Sequence, residues 1–345
     1  MFLIGLELNL RLLRKLGRSA VVTSLTSIIA PFLLGFFAAL YLHAQLSDDR
    51  VERFHFAIFM GAAISVTAFP VLARILVERN LFHTRVGAIA IASAAVDDVM
   101  AWCFLAVSIL LVRGGGVIKQ LLFTLISLLL FVGVMLFIIR PLLRKLETVY
   151  QRTGTLSREV LAIVILFILF SALLTEWIGI HALFGAFLAG AIMPKSEEFV
   201  QELLSKFEDV TVVLFLPIFF AFTGLKMSVG LLTQANLWGY CLLIIAVAIV
   251  GKLGGAMFAA RATGLAWREA SAVGILLNTR GLVELIILNI GLEAGIISPT
   301  VFTIMVLMAL VTTGITTPLL QLFYREPLDD SIANTHGAIQ NVEPT

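Results

Sequence analysis

Charge is scarce in this sequence. Of 345 residues only 13% are Asp, Glu, Lys or Arg, whereas 60% are hydrophobic and the mean hydropathy is +1.05. Soluble domains are about a quarter charged and roughly 45–50% apolar, so a water-soluble globular domain is excluded. The composition is that of a polytopic membrane protein whose first partner is the lipid bilayer. Cysteine is scarcer still. Cys103 and Cys241 both stand inside apolar runs without disulfide or metal spacing, and they read as small core residues. The formal net charge is only +2; in a membrane its placement matters more than its sum. Nothing calls for a nucleic-acid partner or a cofactor. The first residues show no cleavable signal pattern, and the polar stretch after Tyr324 reads as a short disordered tail.

What is abundant is long apolar segments. A helix needs about 20 apolar residues to cross roughly 30 Å of hydrocarbon. This predicts spans near 19–42, 54–78, 84–112, 117–140, 159–175, 178–193, 209–224, 236–260, 267–293 and 298–324. The opening "MFLIGLELNL" is apolar, but Arg11, Arg14, Lys15 and Arg18 follow at once. Ten residues rise only about 15 Å as a helix, so Met1 is expected to begin partway through a span. Most of the 24 Lys and Arg stand in alternate loops, 11–18, 79–85, 140–158, 195–206 and 261–268. The intervening loops hold Arg50, Arg53, Arg113, Lys119 and Lys226. The positive-inside rule then places the C-terminus in the cytoplasm and Met1 outside.

Ionisable groups within the spans are the exceptions to this pattern, and each is by default a functional hypothesis. Asp97 and Asp98 lie roughly 20 Å along their helix from its cytoplasmic end, and Lys252 about 12 Å along its own. Arg280 is as deep as the acids, with Glu284 one turn later on the same face. Arg280 and Glu284 can equally form an internal structural salt bridge. The adjacent acids are harder to explain in that way, because neighbours on a helix point about 100° apart and one partner cannot meet both. Two close carboxylates in low dielectric resist double ionisation. Such a pair suits a site that exchanges a proton for a monovalent cation.

Two spans are also interrupted. In "GAAISVTAFPVLARIL" Pro70 cannot donate to the helical ladder and disfavours helix at Phe69, with the hydroxyls of Ser65 and Thr67 nearby. In "GILLNTRGLVELIILNIG" Asn278, Thr279, Arg280 and Gly281 fall at mid-span. Either alone reads as a kink. Together they occupy the middle helix of two three-helix blocks, 19–112 and 236–324, of opposite topology. Inverted repeats with a broken helix in the same slot point to a midplane ion site in a secondary transporter. The expected fold class is therefore all-α, with inverted three-helix repeats and two broken helices.

At these residues the sequence resembles a known family. "FLIGLELNLRLL", "SVTAFPVLARIL", "ASAAVDDVMAW", "FLPIFFAFTGLK" and "NTRGLVELIILNIGLEAGIIS" resemble, in order, signature segments of the monovalent cation/proton antiporters. The likeness is to their second large branch, which includes bacterial Na⁺/H⁺ and K⁺/H⁺ exchangers, and it runs from Met1 to Tyr324. The resemblance implies a homodimer, and in each protomer an exchanger domain over 1–324 whose two broken helices cross, a sodium/proton antiporter-like fold. In that domain core helices 19–112 and 236–324 move against linker and scaffold helices 117–224, and 325–345 forms a polar cytoplasmic tail. Carried over by position, Asp98 would bind cation and proton alternately, and Asp97 would pair with Lys252 when no ion is bound. The transported Na⁺ or K⁺ would then sit on Asp98 and Asp97, with Ser65 and Thr67 as oxygen ligands. Arg280 and Glu284 would neutralise dipole ends of the second broken helix. The resemblance further implies location in a bacterial inner membrane.

There are departures from the family pattern. About two spans that normally precede "FLIGLEL" are absent here, Asn9 stands where the family often has an acid, and no nucleotide-binding regulatory domain follows the last span. Three other readings therefore stay open: an inactive or partial fragment, a channel or sensor on the same scaffold, and an intramembrane aspartyl protease. The last would need its two acids on different helices and a Gly-x-Gly-Asp setting, which the sequence lacks.

Overall fold

The computed structural model describes residues 1–7, 18–47, 51–82, 84–94, 96–97, 100, 117–153, 155–178 and 182–324. Among the described residues every regular element is helical. The first half contains α1 (Phe2–Glu7), α2 (Arg18–Leu46), α3 (Arg53–Ser65), α4 (Phe69–Glu78) and α5 (Arg85–Ala94). Next come α6 (Val117–Val134), α7 (Arg140–Thr153), α8 (Arg158–Ile178), α9 (Ala182–Ile192), α10 (Glu197–Val210) and α11 (Leu216–Lys226). The chain ends with α12 (Ala235–Ile249), α13 (Gly255–Ala262), α14 (Trp267–Leu277), α15 (Leu282–Glu293) and α16 (Pro299–Phe323). Single π-helical turns join α6 to α7, α10 to α11 and α12 to α13.

Seven helices among the described residues are long and apolar enough to cross a membrane, and the bent pair α14–α15 makes an eighth. With Arg85–Ala94 and Ala182–Ile192, each predicted span has a helical counterpart. The chain is thus an all-helical, multi-pass membrane protein. The outward sides of α6, α8 and α11 carry exposed apolar residues such as Leu129, Leu130, Leu173 and Leu225. Lipid or a protein partner must cover such faces.

Two stretches read as basic or polar loops are helices instead. Over 140–158 the chain forms α7, and over 195–206 it forms most of α10. Their charges hide an amphipathic period. Leu143 and Tyr150 are buried, and Leu146 packs against the same core, while the charged residues take the opposite face. Glu202 of α10 accepts from the backbone N–H of Leu156 at 2.9 Å, and Tyr150 meets Phe199 edge to face. These contacts fasten α10 to α7 and to the segment that follows α7.

Four features position the buried charges. The first is the break between α3 and α4, where Val66 and Ala68 are extended and Pro70 occupies the first turn of α4, where its missing N–H costs nothing. The second is the break between α14 and α15 at Asn278–Gly281, across which the helices bend by 42°. The third is the π-helical turn Val250–Gly254, which carries Lys252 and shifts its register relative to a regular helix. At that turn a Cβ on Gly251 would stand 2.7 Å from Pro31 Cα, so glycine lets α2 approach Lys252 closely. The fourth is Lys195, whose Nζ donates to Gly5 O (3.0 Å), Leu6 O (2.6 Å) and Gly190 O (3.1 Å). It closes the carbonyl ends of α1 and α9 at once.

Candidate ion-binding site at the crossing of two broken helices

A broken helix leaves backbone groups without their ladder partners, and in a membrane core these must be met from elsewhere. Here the two breaks meet each other. Ala68 N donates to Thr279 O at 3.0 Å, and Thr67 Oγ1 lies 3.0 Å from Leu277 O. Gly281 makes this approach possible. Its φ of 175° is ordinary extended backbone, but a Cβ would stand 2.9 Å from Val71 Cγ2 and 3.0 Å from Ala68 Cβ.

The carbonyls freed at the end of α3 are taken by cations. Lys252 Nζ donates to Ser65 O at 2.5 Å, and an Arg280 guanidinium nitrogen donates to Val66 O at 2.5 Å. Positive charge thus sits at the negative end of α3, while Glu284 lies in the first turn of α15, at its positive end. Thr313 of α16 fixes the second break, its hydroxyl lying 2.8 Å from Arg280 N and 3.0 Å from Arg280 O.

Asp97 stands against this crossing and is 1% exposed. Lys252 Nζ lies 2.5 Å from its Oδ2, Thr67 Oγ1 reaches the same oxygen at 2.5 Å, and Ser27 Oγ reaches Oδ1 at 3.3 Å. Lys252 is fully buried, so neither charge is hydrated from outside and each is the other's compensation. Arg280 and Glu284 are also buried, but Arg280 Nε is 3.9 Å from Glu284 Oε2. That is an ion pair without a direct hydrogen bond. Both Glu284 oxygens lack hydrogen-bond partners among the described residues.

Five of the seven candidate side chains, Asp97, Thr67, Lys252, Arg280 and Glu284, thus line one buried crossing. Ser65 is also there, but its Oγ is turned back to Ala62 O at 2.7 Å; it contributes its backbone carbonyl rather than its hydroxyl. Asp98 lies outside the described residues. Ser27 is a contact that sequence reasoning missed, because a serine in an apolar helix gives no signal unless its neighbour is known. A cavity of about 900 Å³ lies along α4 and reaches Phe69 and Pro70 beside the first break. Phe69, Pro70, Ala73 and Arg74 of α4, Leu6 of α1, and Lys195 and Glu197 line it.

Comparison with known proteins meets this geometry. The family profile described as "Sodium/hydrogen exchanger, transmembrane" matches residues 1–324. The chain belongs to the sodium/hydrogen exchanger family. Within that family it is 43% identical over 328 residues to the Na(+)/H(+) antiporter NhaS4 of the cyanobacterium Synechocystis sp., covering 95% of this chain and 80% of that protein. It is 38% identical over 342 residues to K(+)/H(+) antiporter 1 of Saccharomyces cerevisiae, covering 96% of this chain and 39% of the yeast protein. To Cation/H(+) antiporter 18 of Arabidopsis thaliana it is 40% identical over 325 residues, 94% of this chain and 40% of the plant protein. The chain therefore spans most of the cyanobacterial exchanger but well under half of the yeast and plant ones. All three relatives are named for cation/proton exchange.

Proposed function

We propose that this chain is a secondary active antiporter that exchanges protons for Na⁺ or K⁺ by alternating access at the crossing of its broken helices. The observation that carries the reading is the Asp97–Lys252 pair, buried at the crossing with Thr67 on the same carboxylate oxygen. A carboxylate whose charge is balanced by one internal ammonium is one from which an arriving cation can displace that ammonium. In this reading Asp98 carries the cation or the proton in turn, and Asp97 returns to Lys252 when the ion leaves. The crossing supplies oxygen ligands in Thr67 and the Ser65 carbonyl. Arg280 and Glu284 hold the charge of the half-helix ends constant as the ion comes and goes.

The cavity beside α4 is the cytoplasmic entry. Helices 19–112 and 236–324 form the moving core, 117–224 the scaffold, and the exposed faces of the scaffold pair two copies in a bacterial inner membrane with the C-terminus inside. Exchange of ions through such a site makes no covalent bond, so no enzymatic step is invoked.

The test is exchange in proteoliposomes, with a pH-sensitive dye inside and Na⁺, K⁺ or Li⁺ added outside. Native protein is expected to collapse an imposed pH gradient on addition of the transported cation. Asp98→Asn and Asp97→Asn are each expected to abolish that response. Undiminished exchange by Asp98→Asn overturns the assignment, and a steady single-ion current without countertransport replaces the antiporter with a channel.

A further inference from the structure

The second halves of the two broken helices meet the scaffold differently. After the first break α4 runs toward the membrane side of Arg79 and Arg85, and after the second α15 runs toward the opposite side. An inverted repeat makes these half-helices counterparts, one at each face. Beside α4 lies the cavity of about 900 Å³, lined on the scaffold side by Lys195, Glu197 and Gln201. Beside α15 the scaffold is in direct contact. Asn289 Nδ2 donates to Thr223 Oγ1 of α11 at 3.1 Å, and Lys226 Nζ donates to Glu293 Oε1 at 2.7 Å. Just beyond α11, Ser228 N donates to Thr303 Oγ1 of α16 at 3.2 Å.

The contact is matched in spacing, with Thr223 and Lys226 one turn apart on α11 and Asn289 and Glu293 one turn apart on α15. Thr223 is 2% and Asn289 8% exposed, so their bond is buried between the helices. Lys226 and Glu293 close the rim, where solvent screens them and they add little. Phe222 steadies the lysine, whose Nζ stands 4.2 Å from the ring centroid. The buried amide is only partly satisfied. Its Nδ2 also donates to Leu285 O at 2.9 Å, but its Oδ1 reaches no partner among the described residues. One buried hydrogen bond beside an unmet acceptor holds two helices without locking them. Nor does chain connectivity fix the contact, because residues 227–234 between α11 and α12 can span about 25 Å when extended.

We propose that Thr223–Asn289 and Lys226–Glu293 form a latch that holds the outer entrance shut while the cavity beside α4 is open. The latched half-helix begins at the crossing, with Glu284 in its first turn, so it is the element that covers the buried charges from outside. When the latch parts, α15 and α16 separate from α11 and water reaches the crossing from the outer face. The bonds are thus made in one state of the cycle and absent in the other. Such bonds set the balance between the states in proportion to their strength. The four residues touch no ion; they are positioning residues for the transport step.

This proposal rests on the antiporter reading, so its test has one arm that needs exchange and one that does not. In the first, Lys226→Cys/Glu293→Cys in a Cys103→Ser/Cys241→Ser background is reconstituted and bridged with a bifunctional methanethiosulfonate. Exchange is expected to fall about tenfold or more and to return when dithiothreitol cuts the bridge. Each single-cysteine variant, treated in the same way, should keep its exchange. Undiminished exchange by bridged protein overturns the latch, because a fixed pivot tolerates the bridge and a latch does not. The second arm reads conformation alone. Leu285 is 8% exposed and one turn before Asn289 on the same face. In the same background, Leu285→Cys reports outer opening by its rate of reaction with an impermeant maleimide added to the outer face. Thr223→Val and Asn289→Leu are each expected to raise that rate about fivefold, the effect of one hydrogen bond, and Thr223→Ser to leave it native. Unchanged rates in both variants overturn the latch. Raised rates without exchange by the native protein uphold the latch and remove the antiporter reading.

Discussion

Thr67 has one hydroxyl proton and two acceptors, Asp97 Oδ2 at 2.5 Å and Leu277 O at 3.0 Å. The hydroxyl can serve only one of them at a time, so it links the carboxylate to the end of α14 through one side chain. Thr67→Val removes both bonds and keeps the volume, and is expected to slow exchange by about tenfold, with Thr67→Ser restoring it. The Asp97–Lys252 pair makes a separate demand. Lys252→Met strands a buried carboxylate and is expected to destabilise the protein by about 3–5 kcal/mol. Asp97→Asn/Lys252→Met removes both charges and should recover most of that loss. Thermal melting of the singles and the double in detergent reads the coupling directly.

At the scale of elements, the crossing depends on how closely two backbones can approach. The missing side chain of Gly281 gives Val71 and Ala68 their room, and the Ala68 N to Thr279 O bond forms across that gap. Gly281→Val is expected to cost about 1–3 kcal/mol through overpacking, seen as a lower melting temperature, and to impair exchange. Gly264 tests the opposite requirement, since it has open space but a φ of +97°. Gly264→Ala should destabilise by about 1 kcal/mol through strain alone and leave transport intact.

The first break was legible in the sequence because Pro70 announces it, and the second because polar residues and Gly281 interrupt an apolar run. The π-helical turn that aims Lys252 was not. A one-residue insertion in the ladder has no compositional mark beyond the glycines at 251, 254 and 255. Nor could sequence show that Ser65 spends its hydroxyl on Ala62 O and offers its carbonyl, because that choice is made by a rotamer. The helices α7 and α10 were hidden for a different reason: hydropathy averages over a turn, and an amphipathic helix averages to a loop.

Across the whole molecule, a wide cavity runs along α4 from Phe69 and Pro70, beside the first break, to Glu78. Ala73 lines the cavity, whereas Cys241 is 2% exposed. In a Cys103→Ser background, Ala73→Cys is expected to react with a membrane-impermeant maleimide from the cytoplasmic side only, and Cys241 to stay silent from both. Labelling from the outside instead would reverse the assigned orientation. The alternation of basic loops predicts this orientation from the sequence, and the labelling tests it. The pairing of α1 with α9 was not legible, because it depends on a lysine far along the chain finding two helix ends.

That lysine also sets a schedule. The carbonyls of Gly5 and Leu6 wait for a side chain 190 and 189 residues downstream. At roughly 5–20 residues per second of synthesis, the opening helix spends on the order of ten to forty seconds in the translocon or bilayer before its clasp exists. Something must shelter that end meanwhile, and a ribosome that stalls before Lys195 leaves it unclasped.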